Sequence, residues 1–145
     1  MCYFSESLIP KQREETIIES LAILSIHQSE FDAIAFRGVS GAVIAPILAW
    51  ELDKVLIPVR KFWDEEDSHA YATVEGDGWL YADRAPRVVI VDDFISSGTT
   101  INTIHNLLTD WRRQTEVVAV YLYCGKSFKN NIKDGQFPFP FWTRD

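Results

Sequence analysis

Cysteine is nearly missing from this chain: there are two in 145 residues, Cys2 and Cys124, at a spacing that suits neither a disulfide framework nor a metal site. Two isolated thiols fit a reducing compartment and a core that needs no covalent staple. Basic charge is also short. Lys and Arg number 14 against 21 Asp and Glu, a net charge of -7 at pH 7. That balance repels a polyanionic backbone and disfavours nucleic acid as a partner. Nor is there a long apolar run. The block AVIAPILAW, at 42–50, is about half of what a bilayer span requires and contains Pro46. Glu6 precedes any apolar stretch, so the start lacks the basic-then-apolar order of a signal peptide. A cytoplasmic location with no membrane partner is expected. No internal repeat and no low-complexity linker divides the chain.

What is present suits one globular domain over residues 1–145, with 47% hydrophobic residues to bury. From 11 to about 26, Ile17, Ile18, Leu21 and Leu24 recur at helical spacing while Glu14, Glu15 and Glu19 occupy other faces, which predicts an amphipathic helix. A short strand at 32–36 ends in the turn RGVSG, 37–41. A second helix is predicted from about 43 to 52, with Pro46 tolerated near its first turn, and a second strand at 54–59. Strand, helix, strand in that order implies a parallel crossover. Residues from about 61 to 86 form a long excursion, acidic at Asp64, Glu65, Glu66 and Asp67. Its alternating runs flank Glu75-Gly76-Asp77-Gly78, the pattern of a hairpin, and excursions of this length are commonly functional lids. A third strand follows at 88–91. Next comes a helix carrying Ile101, Ile104, Leu107, Leu108 and Trp111, with Arg112 and Arg113 at its negative end. A fourth strand at 117–123 is apolar throughout, as burial on both faces of a parallel sheet requires. The tail from about 124 to 145 has no clear period. The fold class is α/β: a doubly wound, mainly parallel sheet with a lid hairpin insertion and a small C-terminal hood. In such sheets ligands sit beyond the carboxyl ends of the strands. If the first and third strands are neighbours, the turns at 37–41 and 94–100 face each other across that crevice.

The chemistry is concentrated in VVIVDDFISSGTT, 88–100. Two carboxylates at the end of a buried strand are costly unless something positive or hydrogen-bonding meets them. The vicinal hydroxyls of a ribose, or a hydrated Mg²⁺ bridging them, would satisfy Asp92 and Asp93. Ser96, Ser97, Gly98, Thr99 and Thr100 then offer hydroxyls and N–H groups at a helix start, a ready site for phosphate. The spacing matches a sugar phosphorylated on its far carbon. Acid pairs after strands also occur in nucleotide hydrolases and in phosphoacceptor receiver domains. The first would need a GxxxxGK[ST] loop, and Gly125-Lys126-Ser127 lacks its leading glycine because position 120 is Val. A receiver would carry its acids earlier in the chain. Simple helix capping by Ser96 to Thr100 accounts for the hydroxyls and not for Asp92 and Asp93.

This segment resembles the phosphoribosyl pyrophosphate (PRPP) signature of the type I phosphoribosyltransferases. The resemblance implies that Asp92 and Asp93 hold the ribose 2- and 3-hydroxyls with Mg²⁺ and that Ser96, Ser97, Gly98, Thr99 and Thr100 grip the 5-phosphate. Residues 36–61 are similar to the family's pyrophosphate loop, helix and second strand. Arg37, Gly38, Ser40 and Gly41 would close on the diphosphate, and Lys61 would reach it or end a strand in solvent. HAYATVEG, 69–76, is similar to part of the family's mobile lid; His69 has the character of a solvated surface residue. In the hood, Lys126 resembles the lysine that purine-using members present to the exocyclic oxygen of a 6-oxopurine, while Phe139, Phe141 or Trp142 could stack on the base. Many 6-oxopurine members carry an Asp where this chain has Ser96. The implied activity is magnesium-dependent transfer of the phosphoribosyl group from PRPP to a nucleobase, purine favoured, with release of pyrophosphate. The small-molecule partners are PRPP and the base, and a homodimer is compatible because relatives commonly pair. The rival readings are a PRPP- or nucleotide-sensing module without transfer and a metal-dependent phosphohydrolase.

Overall fold

The computed structural model describes residues 5–60, 86–95, 98–111, 115–124, 133 and 135–144. The expected lid, with Lys61 and His69, lies outside them, as do Cys2, Ser96, Ser97, Lys126 and the Arg112–Arg113 pair. The described elements are a 3-10 turn at Ser5–Leu8, α1 at Pro10–Ile26, β1 at Ala33–Phe36, α2 at Gly38–Ala42, α3 at Ala45–Glu51, β2 at Val55–Pro58, β3 at Arg87–Asp92, α4 at Thr99–Trp111, β4 at Glu116–Leu122 and β5 at Phe141–Thr143. All pairings are parallel, in the order β2-β1-β3-β4-β5. Pro58 has no N–H to give and sits on the edge strand β2, where that lack is tolerated.

The sheet is covered on both faces. Ala33, Ala35, Ile57, Val88 and Ile90 meet Ile101, Ile104 and Leu108 of α4 on one side. Ile34, Val89 and Val91 meet Leu24 of α1 and Ala45, Leu48 and Ala49 of α3 on the other. Apolar strands buried on two faces are what the unbroken Val/Ile runs require. In β4 the alternation is interrupted. Val88 pairs with Val117 but Val89 pairs with Ala119, so β4 carries one extra residue at this point. Val117 and Val120 therefore both face α4, three positions apart, and Tyr121 and Tyr123 are turned to the α1/α3 side. A regular strand would have placed the tyrosines with Val117 on the α4 side.

Three expectations are corrected. The turn predicted at 37–41 contains a short helix, α2, and the helix predicted from about 43 to 52 is the shorter α3 at Ala45–Glu51, the two being separated at Val43 and Ile44. Pro46 lacks an N–H and its ring would strike the carbonyl of Ala42, four residues back, so the first helix has to end before it. The apolar face predicted for α1 is met in part: Leu24 is buried and Ile17 and Leu21 pack against the core, but Thr16 and Ser20 are buried with them and Ile18 is 59% exposed. Ser20 can be buried because its Oγ accepts a hydrogen bond from the Tyr121 hydroxyl at 2.6 Å. Finally, the tail without a period contributes a fifth strand. Phe141 pairs with Val120 and Trp142 with Tyr121, and Phe139 is buried against the α4 layer. Alternating Phe and Pro hid that short strand, because prolines between aromatics read as a loop.

Candidate functional site

Because β1 and β3 are adjacent and parallel, the loops leaving their carboxyl ends meet. Asp92 closes β3 and Asp93 follows it; both are buried, at 6% and 5% exposure. Their donors are local. The Asp93 N–H donates to Asp92 Oδ1 at 2.9 Å and the Phe94 N–H to Asp93 Oδ1 at 2.9 Å. One donor crosses from the first loop: Ser40 Oγ donates to Asp92 Oδ1 at 3.1 Å. The first turn expected from the sequence is thus in contact with the end of β3. Among the described residues no Lys or Arg forms an ion pair with either aspartate. Burial, and then the adjoining Asp93 carboxyl, push Asp92 up to about 7. Two desolvated acids side by side suit a positive or hydroxylic ligand.

The first loop is shaped by its glycines. Arg37 is extended, with φ -142°. Gly38 then takes φ +77°, which turns the chain abruptly into α2. At Gly41 a Cβ would lie 2.6 Å from Phe36 Cβ, so this position accepts no side chain without displacing the strand end. Arg37 Nε is buried and, among the described residues, has no hydrogen-bond partner, and burial lowers the guanidinium from its ordinary value. An orphaned cationic donor beside a glycine turn is fitted to an anion.

In the second loop Gly98 has φ +86° and Thr99 opens α4, with Thr99 and Thr100 exposed at its amino end. The Gly98 carbonyl accepts from Asn102 N–H at 2.9 Å. A Cβ on Gly98 would lie 2.8 Å from both Gln136 Nε2 and Phe137 Cζ, so this turn is pressed against the tail. Neither Gln136 nor Phe137 was singled out from the sequence, where nothing distinguishes them from the neighbouring aromatics and amides. Tyr123, whose hydroxyl donates to the Ser40 carbonyl at 2.6 Å, was likewise read as core.

The structure sets the segment carrying Arg37, Gly38, Ser40 and Gly41 beside the end of β3, joined to Asp92 through Ser40, and places Gly98 on the loop that follows β3, with Thr99 and Thr100 opening α4. Phe141 and Trp142 are engaged elsewhere, on opposite faces of the sheet. Phe141 joins the α4 layer against Phe137, 5.5 Å between ring centroids. Trp142 stacks on His27 at 3.8 Å and 10°. Among the described residues there is no group of three or more His, Cys, Asp or Glu side chains placed to hold a metal. A cation that keeps most of its water and shares a ligand's oxygens suits two carboxylates; one needing an all-protein cage does not.

No protein-family model matches the chain. It is similar to the adenine phosphoribosyltransferase of Burkholderia thailandensis, 32% identical over 113 residues that cover 70% of this chain and 58% of the relative. It is 37% identical to the Burkholderia mallei protein of that name over 92 residues, 55% of this chain and 43% of the relative. The chain therefore spans less than two thirds of the length of these relatives. Among solved structures, orotate phosphoribosyltransferase from Aeropyrum pernix superposes with a TM-score of 0.65 at 19% identity, covering 94% of this chain and 72% of that one. Adenine phosphoribosyltransferase from Rhodothermus marinus gives 0.62 at 21% identity, covering 94% and 80%. These likenesses fix the sheet order and its helical layers. No helix among the described residues is long and apolar enough to cross a membrane.

Proposed function

We propose that the chain, similar in sequence to adenine phosphoribosyltransferase and in fold to solved phosphoribosyltransferases, is a type I phosphoribosyltransferase that transfers the 5-phosphoribosyl group of PRPP to a purine base and releases pyrophosphate. The observation that carries this reading is the acid pair at the end of β3, buried, unpaired by any described cation and hydrogen-bonded across to the first loop through Ser40. Asp92 and Asp93 take the ribose 2- and 3-hydroxyls. Arg37 with the amides of Gly38, Ser40 and Gly41 receives the diphosphate, and Gly98, Thr99 and Thr100 with Ser96 and Ser97 receive the 5-phosphate. Lys61 is the further cation assigned to the diphosphate. Asp92 and Asp93 would hold Mg²⁺, which when bound would neutralise charge on the departing diphosphate. The chain's own part is positional: it holds the sugar between two anion sites so that the base nitrogen attacks C1 as the C1–O bond breaks. Deprotonated Asp92 is the form that accepts the ribose hydroxyl, so substrate binding draws its proton off.

Adenine is the favoured acceptor. The similar curated proteins carry that name, and Ser96 stands where many 6-oxopurine enzymes have an acid. The stacking surface for the base falls to residues other than Trp142, whose ring is already covered by His27. Lys126 is kept as a base-side contact, and a cytoplasmic location and a homodimer complete the reading.

The test is pyrophosphate release from Mg²⁺ and PRPP against a panel of adenine, hypoxanthine, guanine, orotate and uracil. Adenine should support release. Asp92→Asn combined with Asp93→Asn should lower it by at least about a thousandfold while circular dichroism stays that of the folded protein. Saturable PRPP binding without release for any base would instead mark a sensor. Release of orthophosphate would mark a phosphohydrolase.

A further inference from the structure

Tyr123 lies just past β4 with no solvent exposure, yet it touches both halves of the proposed site. Its backbone N–H donates to the Asp92 carbonyl at 3.1 Å. Its hydroxyl donates to the Ser40 carbonyl at 2.6 Å, across 83 residues of sequence. Ser40 Oγ in turn donates to Asp92 Oδ1 at 3.1 Å. The three residues form a closed ring of hydrogen bonds, so the separation of the first loop from the acid pair is fixed by the length of one phenol.

The ring exists because the local helix leaves Ser40 unserved. In a continuous helix its carbonyl would accept from the N–H of Ile44. Here Pro46 breaks the helix and the Ile44 N–H is used on Gly41 O at 3.3 Å. A buried carbonyl without a donor is costly, and Tyr123 supplies one from another element. It can do so because Tyr123 faces the α1/α3 side of the sheet and its hydroxyl reaches Ser40 from there.

We infer that Tyr123 is a positioning residue for the diphosphate-binding loop, acting through Ser40. The inference rests on the proposed transferase reading and assigns no contact between Tyr123 and substrate. With the phenol bond in place, the loop amides and Arg37 stand in register with Asp92 before substrate arrives. Without it, the first loop has to be ordered by the diphosphate itself, and affinity falls by the amount of that ordering.

Tyr123→Phe keeps the ring and removes the hydroxyl. Calorimetric titration with Mg²⁺-pyrophosphate, together with KM and kcat for PRPP and adenine, should show pyrophosphate affinity and KM for PRPP worsened about tenfold, as loss of one well-formed hydrogen bond implies. KM for adenine should stay unchanged. Ser40→Ala should produce a loss of similar size, and the double variant no more than the larger single loss, because both break one ring. Should Tyr123→Phe fail to fold, Tyr123→Met, which fills similar space without a donor, takes its place in the same titrations. Unchanged pyrophosphate affinity, a parallel rise in KM for adenine, or losses that multiply in the double variant would each overturn the inference. Wild-type protein that binds neither pyrophosphate nor PRPP would overturn the transferase reading and this inference with it. Wild-type binding with an indifferent Tyr123→Phe would overturn this inference alone.

Discussion

At the scale of single residues the acid pair decides how the ligand-free protein responds to pH. Asp92 ordinarily titrates at 3.8 and in the fold is pushed up to about 7, chiefly by desolvation and then by Asp93. Below about pH 4 both folded and unfolded chains hold this proton and the group contributes nothing to the difference. Between there and about 7 the folded state holds the proton more tightly, so raising the pH removes stability, and above 7 the loss is complete. Asp92→Asn cannot acquire that charge. Its thermal midpoint in the absence of ligand should therefore exceed the wild-type value at pH 8, on the order of 5 °C, and match it near pH 4. A midpoint at pH 8 equal to or below wild type would show that Asp92 is not stored under electrostatic strain. Addition of Mg²⁺ and PRPP should reverse the ranking, since only the aspartate form gains from the ligand. The identity of these residues was fully legible from VVIVDDFISSGTT. Their partner Ser40 was legible as a loop residue, whereas Tyr123 was not, because a tyrosine inside an apolar run carries no mark of what its hydroxyl meets.

Among the elements, α1 shows how a helix can bury its polar stripe. Tyr121 and Ser20 share one buried hydrogen bond at 2.6 Å, and burial pushes the Tyr121 phenol up to about 12. Arg144 adds a tie from beyond β5, donating through Nε to Glu19 at 2.6 Å and through Nη1 to Thr16 Oγ1 at 3.2 Å. The tail is thus fastened to the first helix. Tyr121→Phe leaves the Ser20 hydroxyl without its donor and should cost about 1–2 kcal/mol in chemical denaturation. Tyr121→Phe combined with Ser20→Ala should recover part of that loss, because the pair then leaves no unsatisfied polar group. A double variant no more stable than the single would argue that the bond does not hold α1 to the sheet. Helical periodicity located α1 to within one residue. It found Ile17, Leu21 and Leu24 on the core side but counted the exposed Ile18 with them and passed over Thr16 and Ser20, since it scores Ile above Ser and has no access to a tyrosine a hundred positions away.

For the whole molecule, the parallel sheet separates labour between its two rims. Asp92 and the 37–41 loop stand at the carboxyl ends of β3 and β1, while Asp32 and Arg87 join the amino ends of the same two strands. Arg87 Nε and Nη2 reach the two Asp32 oxygens at 3.1 and 3.0 Å, and the Arg87 N–H adds a third bond at 3.1 Å. Asp32→Ala removes all three and should lower stability by about 1–3 kcal/mol, with kcat and KM for PRPP within about twofold of wild type. A large change in KM would mean that the two rims are coupled. The architecture was legible because strands and helices alternate and the apolar runs fit a two-sided sheet. The irregularity in β4 was not, since Val117, Val118, Ala119 and Val120 are all apolar and any register would bury them.

That irregularity makes β4 one residue longer than its neighbour over the same span. Substituting one aliphatic residue for another between Val117 and Val120 leaves the phenols on their present side. Removing a single codon there would take out the extra residue and restore strict alternation, with Val117 still toward α4 and both phenols still toward α1 and α3. Libraries built on this scaffold can therefore vary those side chains, or shorten the run by one, without taking the donors away from Ser40 and Ser20.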